Sequence, residues 1–235
     1  LKQILPVIAT PVCSLFQSSM SVRKIPSGWR KAIITPLYKK GLSSHVANYR
    51  PISLTSIFSK LMERVISTDL INYLRQQRLL SKEQQGFLAK KSTSTNLLES
   101  LNDWSLKIEK KNHQSVVYID FAKAFDSVSH KKLLRKLAAY GICGTLLDWI
   151  YDFLAGRSCQ TRIGNYLSSL LPISSGVIQG SCLGPVLFVI FINDISDILP
   201  DGTCVKLFAD DVKLYSKANA GPGLLQDCIN RITEW

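Results

Sequence analysis

The stretch Phe208-Ala209-Asp210-Asp211 decides the fold, because it places two adjacent carboxylates between two short segments that alternate apolar and charged residues. Those segments, 205–207 and 212–215, have the two-residue period of half-buried strands. The sequence therefore predicts a β-hairpin with acids at its tip. An Asp-Asp pair on an arbitrary loop is more often a solvated turn, since Asp hydrogen-bonds to neighbouring backbone.

A second strand end with a carboxylate lies far upstream. Residues 116–121 read Val-Val-Tyr-Ile-Asp-Phe, an apolar run of high β propensity that ends at Asp120. Two metal ions about 3.5–4 Å apart need carboxylates from different elements, which strand ends of one sheet can supply. Oxygen-rich sites of this kind suit Mg²⁺. Asp120 and Asp210, with Asp211 as a neighbour, are therefore the candidate ligands of two Mg²⁺ ions in a nucleotidyl transfer site.

Four motifs resemble, in the same order, those of reverse transcriptases. Residues 48–54 resemble a fingers motif, residues 118–126 the first palm motif, residues 177–185 the second and residues 208–211 the third. The residues Lys123-Ala124-Phe125-Asp126, and Asn193-Asp194-Ile195 after the second motif, are similar to the corresponding motifs of non-LTR, LINE-type retrotransposon enzymes. The resemblance runs from about Ser27 to the end of the chain.

The resemblance implies an α+β fold with the palm and fingers of a right-hand polymerase, in which helices pack on an antiparallel palm sheet. It implies four segments: an N-terminal extension and fingers at 1–113, palm at 114–128, a fingers/palm connection at 129–178 and palm again at 179–235. The family continues into a Lys-bearing motif and a thumb. We therefore expect the thumb to be missing, and the chain to be a core from a longer polyprotein or a truncated copy.

The resemblance also implies roles for individual residues. Asp120, Asp210 and Asp211 would hold the metals, with the backbone carbonyl of Phe121. The residues implied to bind the dNTP are Lys39, Lys40, Arg50, Phe125, Gln179 and Gly180. Those implied to contact template or primer are Gln85, Gly86, Phe87, Lys90, Lys91, Phe208 and Ala209.

Plainer interpretations stay open for several of these residues. Phe125 either blocks a 2′-hydroxyl beneath the sugar or is a core side chain behind the strand. Gln179-Gly180 also fits an ordinary helix N-terminus, and Lys39-Lys40 a solvated turn. The chain departs from the family pattern at three positions, with Leu88 for Arg, Ile178 for Pro and Phe208 for Tyr. Leu88 removes an expected template phosphate contact.

Composition agrees with a polyanionic partner. The chain has 29 Lys and Arg against 17 Asp and Glu, a net charge of +12, which suits nucleic acid or, as a rival, an acidic membrane surface. Its six cysteines are scattered and indicate neither a zinc site nor a disulfide scaffold. No apolar stretch is long enough to cross a bilayer. We expect a soluble intracellular protein of cytoplasm and nucleus, with no membrane partner.

Helical periodicity predicts two long helices in the N-terminal half. The first, about 56–77, would bury Ile57, Leu61, Val65, Ile66 and Leu70. The second, about 94–110, would bury Leu97, Leu98, Leu101, Trp104 and Ile108.

The motifs together predict the core of an RNA-directed DNA polymerase that adds dNTPs to a DNA primer on an RNA template. A catalytically idle relic that binds RNA or DNA is the alternative. An RNA-synthesising palm polymerase is disfavoured by the aromatic Phe125, and a small-molecule cyclase by the fingers motif.

Overall fold

A computed structural model describes residues 5–111, 113–216 and 222–235. The helices in these ranges are α1 (Leu5–Ser21), α2 (Ile57–Gln76), α3 (Thr93–Glu109), α4 (Ala124–Ser127), α5 (His130–Ala139), α6 (Gly144–Leu154), α7 (Gly184–Ile192) and α8 (Pro222–Glu234). The strands are β1 (Lys31–Tyr38), β2 (Tyr49–Leu54), β3 (Val116–Asp120), β4 (Arg157–Ile163), β5 (Tyr166–Leu167), β6 (Leu171–Ile173), β7 (Thr203–Phe208) and β8 (Asp211–Ser216). No helix in the described ranges is long and apolar enough to cross a membrane.

The chain divides into two compact units. Unit 1 comprises Leu1–Tyr73 and Phe125–Leu187, and unit 2 comprises Leu74–Ala124 and Phe188–Trp235. These divisions differ from the boundaries expected for fingers and palm segments, which stay predictions.

Unit 1 is built on a mixed sheet. Its strands lie in the order β2-β1-β4-β5. Strand β5 pairs with residues 162–163 of β4, and β6 pairs with residues 157–159 of β4. Strand β1 is antiparallel to β2 and parallel to β4. The fully buried side chains Trp149, Ile150 and Phe153 lie on α6, which contacts α1 and α5.

Unit 2 contains a three-stranded antiparallel sheet in the order β3-β8-β7. Along β7 the residues alternate in burial, and Val212 and Leu214 of β8 are among the most buried side chains of the chain. Helix α8 contacts β8, and α3 contacts β7. The predicted hairpin and the predicted strand that ends at Asp120 are therefore both present, as neighbours in one sheet.

The prediction for the buried face of α3 is wrong. Leu97, Leu98, Leu101 and Ile108 are exposed, and Leu98 is 64% accessible. The helix instead turns polar groups to the sheet: Ser100 accepts from Lys213 at 3.0 Å and Asp103 accepts from the Tyr215 hydroxyl at 2.5 Å. The helix itself was predicted correctly. Its polar stripe faces the sheet because charged and hydroxyl groups on that side of the sheet need hydrogen-bond partners. Of the predicted set, Trp104 packs edge-on against Tyr215 of the sheet.

Helix α2 confirms part of its predicted inner face. Ile66 and Leu70 are buried, whereas Ile57, Leu61 and Val65 are exposed. The inner stripe is instead completed by Met62 and by the buried polar residues Ser59 and Glu63. Periodicity alone did not reveal that two polar side chains lie on the inner face of this helix.

Candidate active site

The hairpin of unit 2 brings three carboxylates to one end of its sheet. Phe208 pairs with Asp211 across the β7–β8 turn, so Ala209 and Asp210 form a two-residue tip. Asp211 also pairs with Asp120, the last residue of β3. Asp120 and Asp211 are exposed and Asp210 is half-buried. The register therefore assembles Asp120, Asp210 and Asp211 as the sequence predicted, although their role as ligands stays a prediction.

The electrostatics of this cluster favour a cation. Burial, and then the negative charges of Asp210 and Asp120, raise the pKa of the Asp211 carboxyl above its ordinary value. Like charges at short range disfavour one another, and a bound divalent ion would relieve that repulsion.

The residues fit a magnesium site of the open type. In the described part of the chain there is no group of three or more His, Cys, Asp or Glu side chains that could hold a metal ion by itself. Mg²⁺ does not require one, because it keeps several waters and takes one or two carboxylates together with substrate phosphates. Phe121 follows Asp120 directly and is half-buried; the role of its carbonyl stays a prediction.

A cavity of about 430 Å³ lies beside the carboxylates in unit 2. Asp120 and Asp211 line it together with Phe208, Tyr118 and Lys213. The ammonium of Lys213 lies 5.5 Å from the Trp104 ring centroid and 5.8 Å from that of Tyr118. Burial, and then the nearby Lys206, lower the pKa of Lys213. The cavity thus combines acids at its rim with aromatic and cationic walls.

The residues predicted to contact template or primer fall into two groups. Phe87 and Lys90 are exposed, each with a positive φ, and Lys91 is exposed with an ion pair to Glu99 at 3.7 Å. Gln85, Gly86 and Ala209 are buried, and Gly86 lies directly against Ala209. Phe208 is half-buried. The contacts of all these residues with nucleic acid stay predictions. The buried residues Gln85 and Gly86 are placed to support the hairpin at Ala209.

Gln84 lies at the centre of this contact. It opens the segment 84–93, which resembles a template-contacting motif, but no separate role was predicted for it. Its side chain is 1% accessible, and its Oε1 accepts hydrogen bonds from the backbone N–H of Gly86 at 2.7 Å and of Ala209 at 3.0 Å. No local pattern distinguishes it from Gln85, because the Ala209 bond joins residues far apart in sequence.

In unit 1, the residues predicted to bind the dNTP are joined through the backbone. Strand β2, which carries Arg50, donates from the N–H of Ser53 to the carbonyl of Gln179 at 2.8 Å. Gly180 has a φ of +106°, and a Cβ there would lie 2.7 Å from the Ser53 carbonyl oxygen. Only glycine fits this approach without strain. Lys39 and Lys40 follow β1 and are exposed.

Phe125 is joined to the second motif in the same way. Its carbonyl accepts from the Val177 N–H at 2.8 Å, and a Cβ on Gly176 would lie 2.8 Å from that carbonyl oxygen. The Phe125 side chain is half-buried. Arg50, Gln179, Gly180 and Phe125 thus belong to one hydrogen-bonded part of unit 1, whereas the carboxylates belong to unit 2.

A second residue missed from sequence is Glu63, which is fully buried. Its Oε2 accepts from the N–H of Cys182 at 2.8 Å and of Leu183 at 3.2 Å, just before α7. A carboxylate at a helix N-terminus satisfies free amides and complements the helix dipole. Glu63 therefore holds the loop that follows Gln179-Gly180. The signal in the sequence was an acid on the apolar face of a predicted helix.

Carboxylates at the turn and at the adjoining strand end of a three-stranded antiparallel sheet are typical of a palm-type nucleic-acid polymerase, the class that the fingers motif at residues 48–54 also favours. The chain belongs to the reverse transcriptase family: the profile described as "Reverse transcriptase (RNA-dependent DNA polymerase)" matches residues 37–235. Enzymes of this family generally depend on a divalent metal ion.

Its relatives confirm the resemblance to non-LTR elements. The RNA-directed DNA polymerase from mobile element jockey of Drosophila melanogaster is 29% identical over 231 residues, which cover 94% of this chain and 25% of that protein. The probable RNA-directed DNA polymerase from transposon BS of the same species is 30% identical over 248 residues, covering 98% of this chain and 27% of that protein. The chain thus spans about a quarter of the length of these relatives.

Solved structures confirm the fold expected for a right-hand polymerase. Apo telomerase from Candida tropicalis, truncated from its C-terminal domain, superposes with a TM-score of 0.63 at 12% identity, over 89% of this chain and 48% of that one. Telomerase from Candida albicans, in complex with a fragment of telomeric RNA, gives 0.62 at 13% identity, over 94% of this chain and 43% of that one. At such low identity the likeness concerns the fold alone.

Proposed function

We propose that this domain is the catalytic core of an RNA-directed DNA polymerase that extends a DNA primer with dNTPs on an RNA template. The observation that carries the proposal is the register that pairs Asp120 with Asp211 beside the turn residue Asp210. Family membership and the excess of 29 basic over 17 acidic residues support it, since phosphate contacts dominate affinity for nucleic acid.

The proposed metal ligands are Asp120 and Asp210, with Asp211 and the carbonyl of Phe121 in support. Two Mg²⁺ ions, when bound, would activate the primer 3′-hydroxyl and neutralise charge on the departing pyrophosphate. The chain's own residues hold and orient the reactants. Arg50, Lys39 and Lys40 would grip the triphosphate, while Gln179 and Gly180 would line the nucleotide.

Sugar selection and template contact complete the proposal. Phe125 would exclude a 2′-hydroxyl, while Phe87, Lys90 and Lys91 present the exposed ring and charges suited to a template strand. We place this activity inside the cell, in cytoplasm and nucleus, where its nucleic-acid substrates are found.

Primer extension tests the proposal. The chain is incubated with a primed RNA template, Mg²⁺ and dNTPs, beside its Asp210→Asn form and an Asp201→Asn control that removes one charge from an exposed residue of the same unit. We expect extension by the parent and the control, and a loss of about 100- to 1,000-fold in Asp210→Asn, because a group that stabilises charge in the site is removed. NTPs in place of dNTPs should give little product.

One result of this experiment would contradict the proposed polymerase activity. If the folded parent binds the primed duplex with salt-sensitive affinity but extends it no better than Asp210→Asn does, the polymerase proposal is wrong for this chain. The idle, nucleic-acid-binding alternative then applies.

A further inference from the structure

The tip of the catalytic hairpin is held from outside the hairpin. Gln84 lies on the segment before α3, and its Oε1 accepts from the N–H of Ala209, the first residue of the turn, at 3.0 Å. The same oxygen accepts from the N–H of Gly86 at 2.7 Å. One buried acceptor therefore ties the 84–86 segment to the turn.

The backbone around Gln84 adds a short parallel pairing to the hairpin. The N–H of Gln85 donates to the Leu207 carbonyl at 3.0 Å, and the Leu207 N–H donates to the Glu83 carbonyl at 3.0 Å. Asn96 of α3 donates to the same Leu207 carbonyl at 3.2 Å. The edge of β7 is thus paired up to the residue before Phe208, and the Gln84 side chain continues that pairing to the tip.

The tip needs this support because its backbone is strained. Ala209 has a φ of +55°, in the left-handed region that side chains other than glycine disfavour. Asp210 is the second turn residue and Asp211 begins β8, so both carboxylates lie on backbone that follows directly from the conformation of Ala209. Strained backbone at a functional site persists only where its surroundings hold it.

We propose that Gln84 is a positioning residue for the metal-holding carboxylates, acting through the Ala209 amide. Its catalytic consequence rests on the function proposed above, whereas the brace on the hairpin does not. The effect to expect is that of an outer-shell partner of a metal ligand, whose loss typically weakens metal binding about 10- to 100-fold.

A purely structural role is the competing explanation, and matched variants separate the two. Gln84→Met keeps the length and volume of the side chain but removes the acceptor. Gln84→Glu keeps an oxygen acceptor. Asn193→Leu is the control, because Asn193 is another buried amide of unit 2 and its side chain bonds the backbone of Leu79 and Ser81, upstream of Gln84, rather than the turn at Ala209.

The test uses two measurements that do not depend on activity. Hydrogen exchange at the Ala209 amide, by NMR or on peptides spanning 205–214, reports the brace directly. Binding of Mn²⁺, followed by electron paramagnetic resonance, reports the carboxylates. In Gln84→Met we expect exchange at Ala209 to be at least about tenfold faster than in the parent, and Mn²⁺ binding to be about 10- to 100-fold weaker. Asn193→Leu, compared at the same folded fraction, should change neither quantity.

The conservative variant keeps the proposal falsifiable should Gln84→Met unfold. Gln84→Glu should retain slow exchange at Ala209, and exchange is the readout for it because an added charge itself attracts cations. Either of two results would overturn the proposal. One is fast exchange at Ala209 in a folded Gln84→Glu. The other is that Gln84→Met shows the same exchange at Ala209 and the same Mn²⁺ affinity as Asn193→Leu. A shift in both measurements without extension by any form supports the brace and rejects only the polymerase function.

Discussion

A Cβ atom on Gly86 would lie 2.2 Å from the backbone nitrogen of Ala209, so the two residues meet backbone to backbone. Gly86→Ala forces the turn at Ala209 and Asp210 to move, because the nearest atoms that the new Cβ meets are main-chain atoms of Ala209. We expect the free energy of unfolding to fall by about 2–3 kcal/mol, as for other overpacked sites.

Urea denaturation measures this loss. The control is Gly223→Ala on α8, where a Cβ would meet nothing within 4 Å and stability should be unchanged or rise by about 0.5 kcal/mol. Equal stabilities for the two variants would show that the 84–86 segment moves away from the turn without cost.

The polar face of α3 packs against the sheet and its leucines face outward, which leads to a second prediction. Leu98→Glu alters a residue that is 64% accessible and should change the free energy of unfolding by no more than about 0.5 kcal/mol. Asp103→Leu, although more apolar, should lower it by about 1–3 kcal/mol because the Tyr215 hydroxyl loses its acceptor. Both are measured by urea denaturation, and the opposite ranking would contradict the orientation described.

Stability at alkaline pH should depend on Tyr215. Its burial, and then its hydrogen bonds with Asp103 and Cys204, raise its pKa above the ordinary value of 10.0. The unfolded chain releases this proton near pH 10 while the folded chain retains it, so the contribution is complete below that pH and is lost as pH rises. The loss for one proton is at most about 1.4 kcal/mol per pH unit.

The measurement is the urea midpoint between pH 8 and pH 11. Tyr215→Phe should show a shallower decline than the parent, and Tyr166→Phe, at an exposed position, should follow the parent. Parallel curves for the parent and Tyr215→Phe would mean that the Tyr215 proton is not retained on folding.

Phe125→Val tests the sugar selection implied by the family resemblance. Removing the ring should lower the preference for dNTPs over NTPs by about 100-fold, the scale on which a shaped pocket discriminates an added hydroxyl. The preference is measured as the ratio of kcat/KM values in primer extension. A folded, active Phe125→Val with unchanged preference would make Phe125 a core residue, the interpretation that the sequence left open.

Much of the site was predictable because its signals are local. The alternation around Asp210 and Asp211 and the apolar run before Asp120 indicate strand ends from a few neighbouring residues each. Gln84 and Glu63 were not predictable in this way, because each acts on backbone amides more than one hundred positions away. A local pattern carries no information about which distant amide a buried side chain will meet.

The sequence by itself determined the hairpin, the strand that ends in Asp120, the main helices and the family, because periodicity and motif order are properties of the chain. The tertiary structure alone decided that β3 pairs with β8 in the register that aligns Asp120 with Asp211. It also decided that α3 turns its polar stripe inward. Both outcomes depend on which surfaces meet, and buried polar groups that need partners can override the hydrophobic pattern that one helix presents in isolation.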